Sequence, residues 1–180
     1  MQVSVYIATS FDGFIARLDG SLDWLPGADG NMEGLEDFGY DAFMAEVDAL
    51  AMGRNTYETV RSFGAWPYAA TPVYVLSRSL QALPLPPAGS EILWQQSPQE
   101  LVSHLQSQSC RKLYVDGGLC IQSFLAAGLI SDLTLTRFPV LLGQGKPLFG
   151  PLPQDVNLDH QETKSFASGA VQSRYLVAKN

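Results

Sequence analysis

The sequence predicts an α/β fold: a mostly parallel sheet with helices on both faces and an antiparallel edge. Three observations carry that expectation. Short β-rich apolar runs alternate with stretches whose apolar residues recur at helical spacing. Glycines stand where several of those runs hand over to the next helix. The last segment holds two strand patterns around one turn signal.

Val3, Val5 and Ile7 alternate with Gln2, Ser4 and Tyr6, the period of a strand, which turns at Asp12-Gly13. Residues 16–39 are rich in Gly, Asp and Pro, with Trp24 and Leu25 as apolar anchors, and predict a long loop that leads into a helix. Leu35, Phe38, Ala42, Phe43 and Val47 fall at helical spacing and predict that helix over 34–46. Ala49-Leu50-Ala51-Met52 reads as a buried strand, 56–62 as a helix, and PVYVL at 72–76 as the next strand. A proline-rich connection, LPLPPAG, leads to a short strand at 91–94. Ser97-Pro98-Gln99-Glu100 then has the form of a helix start, with Ser97 as cap, Pro98 at the first position and Glu100 three residues on. That helix runs to about Gln106. A strand at 112–116, the break Gly117-Gly118, a helix over 119–127 closed by Gly128, and a strand at 133–138 follow. After a loop over 142–153, two strands within 159–179 meet near Ser168-Gly169.

A length of 180 residues fits one domain spanning 1–180, and 46% hydrophobic against 16% charged residues is the balance of a chain that folds on its own. The net charge of −7 offers no general field for a nucleic acid or an anionic membrane, so any phosphate must be held by local devices. Cys110 and Cys120 are too few for a disulfide framework and lack zinc or redox spacing; with no basic leader and no long apolar run, the expected setting is the cytoplasm. His104 and His160 read as structural or exposed, and no metal site is expected.

In a parallel sheet, ligands sit at the carboxyl ends of strands, where helix N-termini present free N–H groups. Three turns fit that description. Gly53-Arg54-Asn55-Thr56 offers a tight turn, a cation and a hydroxyl. Gly117-Gly118-Leu119 leaves no side chain between a pyrophosphate and the next helix's amides. Ser77-Arg78 suits the 2′-phosphate that separates NADP from NAD. Singly, each is ordinary turn chemistry or a solvated arginine; together, at one end of one sheet, they point to a dinucleotide. LLGQGKP is not a P-loop, because Val140 replaces the first glycine and Pro147 the magnesium-binding hydroxyl, and no G-x-G-x-x-G is present.

The order MGRNTYE, VLSRS and YVDGG followed by a helix resembles the dihydrofolate reductase superfamily. The opening SFDGFIA and the tract FPVLLGQGKPLF are similar to the branch that includes the reductase domain of riboflavin biosynthesis. The resemblance spans nearly the whole chain. It implies a dihydrofolate reductase-like sheet of about eight strands, NADPH across the strand ends, and hydride transfer to a small heterocyclic substrate, a pyrimidine of the riboflavin-precursor type or a pterin. It puts Ala8 and Ile15 beside the nicotinamide, Gly53, Arg54, Asn55 and Thr56 at the phosphates and ribose, Ser77 and Arg78 at the 2′-phosphate, and Gly117, Gly118 and Leu119 against the cofactor. Folate enzymes place an acid at the start of the first helix soon after a tryptophan. Trp24 matches the tryptophan; Asp37 is the first choice for the catalytic acid and Asp41, one turn later, the next, with a simple helix-start role open for both. Asp12 reads as a substrate or ribose contact or as a turn former. The branch commonly pairs, which makes a homodimer an expectation. Dihydrofolate reductase proper and a non-catalytic NADP(H)-binding protein stand as alternatives.

Overall fold

The computed structural model describes residues 1–27, 36–63, 65–83 and 89–178. Eight strands form one sheet in the order β5-β4-β3-β6-β1-β7-β10-β9, and β2 and β8 form a separate two-stranded ribbon. β1 (Gln2–Thr9) occupies the middle, parallel to both β6 (Lys112–Asp116) and β7 (Asp132–Arg137). β3 (Ala49–Gly53) joins β6 to β4 (Val73–Leu76), which pairs with β5 (Glu91–Trp94), all parallel. The edge is antiparallel: β10 (Val171–Val177) pairs with β7 and with β9 (Leu158–Ser165). The ribbon joins β2 (Phe14–Ala16) to β8 (Lys146–Pro147), which the sequence reading took as loop.

Alternation along the buried strands decides which helix covers which face. Ala49 and Ala51 face one way, with Val3, Val5, Leu113 and Val115. There they meet α3 (Pro98–Ser107) through Leu101 and Leu105, and α4 (Gly118–Ala126) through Ile121 and Phe124. Leu50 and Met52 face the other way with Val73 and Val75. On that side they meet Tyr57 and Val60 of α2 (Arg54–Ser62), flanked by Tyr40 and Phe43 of α1 (Tyr40–Met44). α3 begins as expected, with a complete capping box between Ser97 and Glu100 and Pro98 in the first turn. α1 is shorter than the expected 34–46, because Phe38 (φ 56°) and Gly39 (φ 86°) are both left-handed and cannot continue a helix. Residues 34 and 35 of that expectation lie outside the described residues, as do 84–88 of the proline-rich connection. Among the described residues no helix is long and apolar enough to cross a membrane, and no cluster of His, Cys, Asp or Glu could hold a metal ion.

Candidate functional site: a cleft at the strand ends

β3 and β6 are neighbours, yet the helices that follow them pack on opposite faces, α2 on one and α4 on the other. Where adjacent strands send their connections to opposite sides, the strand ends open into a crevice. A cleft of about 1810 Å³ lies there. Ala8 and Ile15 line it at its centre, Gly53 through Thr56 at the start of α2, Gly117 through Leu119 at the start of α4, and Ser77 with Arg78 past the end of β4.

The two phosphate-type turns touch each other. Gly117 has φ 85°, and a Cβ there would fall 2.1 Å from Thr56 Oγ1, so only glycine fits. A Cβ on Gly118 would fall 2.9 Å from Ile15 Cδ1, which brings the β2 segment against the same turn. Neither α2 nor α4 has a side-chain cap or an acid in its first turn, which leaves the first amides of both helices to an outside acceptor. Arg54 gives its Nε to Glu58 at 2.7 Å, an exposed pair that holds the side chain weakly. Arg78 is exposed and makes no ion pair among the described residues. Ser77 Oγ accepts the Leu80 amide at 3.2 Å, which fixes the turn that carries Arg78.

The substrate half departs from the sequence reading in part. Asp12 does not line the cleft: its carboxylate accepts the Leu142 and Gly143 amides at 3.2 and 2.7 Å and the Ser10 hydroxyl at 2.6 Å, so it staples the β1–β2 turn to a distant loop. Those bonds hold its carboxyl below the usual range, the Ser10 hydroxyl foremost. Trp24 does not line the cleft but packs edge-on at 6.1 Å against Phe138, which does, and its buried indole N–H has no partner among the described residues. Asp37 and Asp41 do line the cleft, and both are exposed. Asp37 also serves the helix start: its two oxygens accept the Gly39 and Asp41 amides at 2.9 and 3.3 Å.

An acid that sequence reasoning passed over lies deeper. Asp116 ends β6 directly before the Gly-Gly turn, lines the cleft, and accepts the Gly117 amide at 2.7 Å. Tyr40, Tyr68 and Tyr114 surround it, and all three line the same cleft. Burial among these rings pushes the Asp116 carboxyl up to about 6, against the opposing pull of the Gly117 amide and the Tyr114 hydroxyl. Burial also raises all three phenols. The result is a carboxyl that exchanges a proton near neutral pH, walled by groups that stay neutral.

Residues 2–172 match the family model of the RibD C-terminal domain. The chain belongs to that family. The uncharacterized protein YwjB of Bacillus subtilis is 33% identical over 177 residues, covering 97% of each chain. A protein from Shewanella sp. PV-4 provisionally assigned to riboflavin biosynthesis is 36% identical in its solved structure. That alignment covers 99% of this chain and 100% of the other, with a TM-score of 0.87. RibD of Acinetobacter baumannii shares the fold at 18% identity and a TM-score of 0.73, over 98% of this chain and 58% of the longer one. This RibD C-terminal domain thus has the family's sheet, and its strand ends carry two open helix starts, an exposed arginine and a half-buried acid in one cleft.

Proposed function

We propose that this chain is an NADPH-dependent reductase that transfers a hydride to a small heterocyclic substrate, a pyrimidine of the riboflavin-precursor type or a pterin. The observation that carries this reading is the placement of Asp116. An acid whose carboxyl is pushed up to about 6 sits at the foot of the Gly117-Gly118 turn, in the same cleft as the two uncapped helix starts.

The residues fit the cofactor. The amides at 53–56 and 117–119 would receive phosphate oxygens, and glycine at 117 lets the two turns lie against each other because a Cβ there would collide with Thr56. Arg78 takes the 2′-phosphate, with Ser77 holding its turn. Ala8 and Ile15 flank the nicotinamide. NADPH supplies the hydride. The chain supplies the rest: Asp116 holds the proton at its carboxyl and passes it to the substrate, while Tyr40, Tyr68 and Tyr114 exclude water around it. Asp37 and Asp41 meet polar edges of the substrate at the rim. Asp12 and Trp24 act at one remove, as staple and as backing wall.

The test is loss of NADPH absorbance against a panel of pyrimidine and pterin acceptors, with Asp116→Asn beside the native chain. Asp116→Asn is expected to bind NADPH normally and to lose about 10²- to 10⁴-fold in turnover. The proton stays on Asp116 below about 6 and leaves above it, so the native rate falls as pH rises through that region. NADPH binding without turnover of any acceptor would favour the non-catalytic alternative.

A further inference from the structure

A polar network under the substrate end of the cleft is not used by the proposed chemistry. Phe38 has φ 56°, in the left-handed region that is costly for a bulky side chain, and Gly39 follows at 86°. This double corner turns Asp37, Tyr40 and Asp41 onto the cleft. Such a corner persists only where its surroundings over-determine it.

The surroundings converge on one atom. The Phe38 carbonyl accepts a short hydrogen bond from the Tyr6 hydroxyl and another from Gln172 Nε2 at 3.0 Å. Gln172 is 9% exposed and comes from β10, the antiparallel strand next to the edge. Its Nε2 also lies 2.8 Å from Thr136 Oγ1, on its register partner in β7, and 3.0 Å from Tyr6 Oη. Strands β1 and β10 therefore fasten one carbonyl, with β7 holding the Gln172 amide through Thr136, in a setting where few waters compete for the bonds. The Phe38 ring adds edge-on contacts with Phe138 at 5.5 Å and Phe166 at 4.8 Å. Among the described residues none of these hydrogen bonds reaches the turns at 53–56, 77–78 or 117–119 directly; the nearest link is the Tyr114 hydroxyl, which donates to the Tyr6 carbonyl at 2.9 Å and stands beside Asp116.

We propose that Gln172, acting with Tyr6 through the Phe38 carbonyl, is a positioning residue that sets the substrate wall of the cleft and leaves the dinucleotide half alone. Its kinetic consequence rests on the reductase reading; its structural consequence does not. Gln172→Leu keeps the bulk and removes both N–H donors. The Gly39 and Asp41 amides, which bind Asp37, are then expected to exchange with solvent about tenfold faster, while the Gly117 amide bound to Asp116 is unchanged. With dihydrofolate as the acceptor probe, KM rises about tenfold, kcat stays within about threefold and NADPH affinity is unaltered. Tyr6→Phe removes the other donor, keeps the ring packed on Phe43, and is expected to shift exchange and KM in the same direction. It covers the case in which Gln172→Leu does not fold. Unchanged exchange at Gly39 and Asp41 in the folded variants overturns the proposal, and so does faster exchange with KM unmoved. If the native chain turns over no acceptor, the reductase reading fails, and dihydrofolate binding replaces KM: weaker binding with faster exchange supports the proposal, unaltered binding overturns it.

Discussion

Three helices start directly beyond parallel strands of this sheet, and they start in two different ways. α3 closes its own N-terminus: Ser97 accepts the Glu100 amide at 3.2 Å and Glu100 reaches back to the Ser97 amide at 2.9 Å. α2 and α4 have glycine at the cap, no side-chain acceptor and no acid in the first turn. All three border the same cleft. A capping box satisfies the orphan donors from within, with a negative charge already at the positive end of the helix. An uncapped start beside a glycine leaves donors and partial charge directed outward, and on a molecule of net charge −7 these are the places where the proposed cofactor's phosphates would be held. The contrast separates a helix start that satisfies its own donors from two that leave them to an outside acceptor.

That contrast can be broken from either side. Gly117→Ala attacks the contact between the open starts. The new Cβ collides with Thr56 Oγ1 in a left-handed backbone, so thermal unfolding is expected to show a loss of about 1–3 kcal/mol, with NADPH binding largely abolished. Asn55→Asp gives α2 the acid that α3 already has. It is expected to raise stability by a few tenths of a kcal/mol while weakening NADPH about tenfold, measured by denaturant unfolding and by fluorescence titration. Ser97→Ala removes the box from α3 and is expected to lower stability by about 1 kcal/mol with no change in NADPH affinity. An equal effect of Asn55→Asp and Ser97→Ala on cofactor binding would erase the distinction.

Much of this was legible before the structure. Strands such as β3, with its run Ala49-Leu50-Ala51-Met52, are short apolar segments between clear breaks. The α3 start is a local four-residue code, so composition and spacing alone locate both. What was not legible depends on pairs distant in the chain. β2 and β8 are too short to show a period and exist only through each other. For Asp12 a substrate or ribose contact and a turn former both stayed open, because its partners Leu142 and Gly143 are brought to it by the fold. α1 lost its first turns to two left-handed residues that helical spacing cannot reveal. Asp116 carried one usable signal, an acid closing an apolar strand immediately before Gly-Gly. Its raised pKa comes mainly from burial among rings, two of which, Tyr40 and Tyr68, stand far from it in sequence.

Whether these strand ends hold the proposed dinucleotide with a 2′-phosphate is tested most directly by one titration. NADPH and NADH are titrated by fluorescence into the native chain and into Arg78→Ala, whose guanidinium is exposed and makes no ion pair among the described residues. The native chain is expected to prefer NADPH, and Arg78→Ala to lose about tenfold or more for NADPH with little change for NADH. Equal losses for both cofactors, or no saturable binding of either, would contradict it.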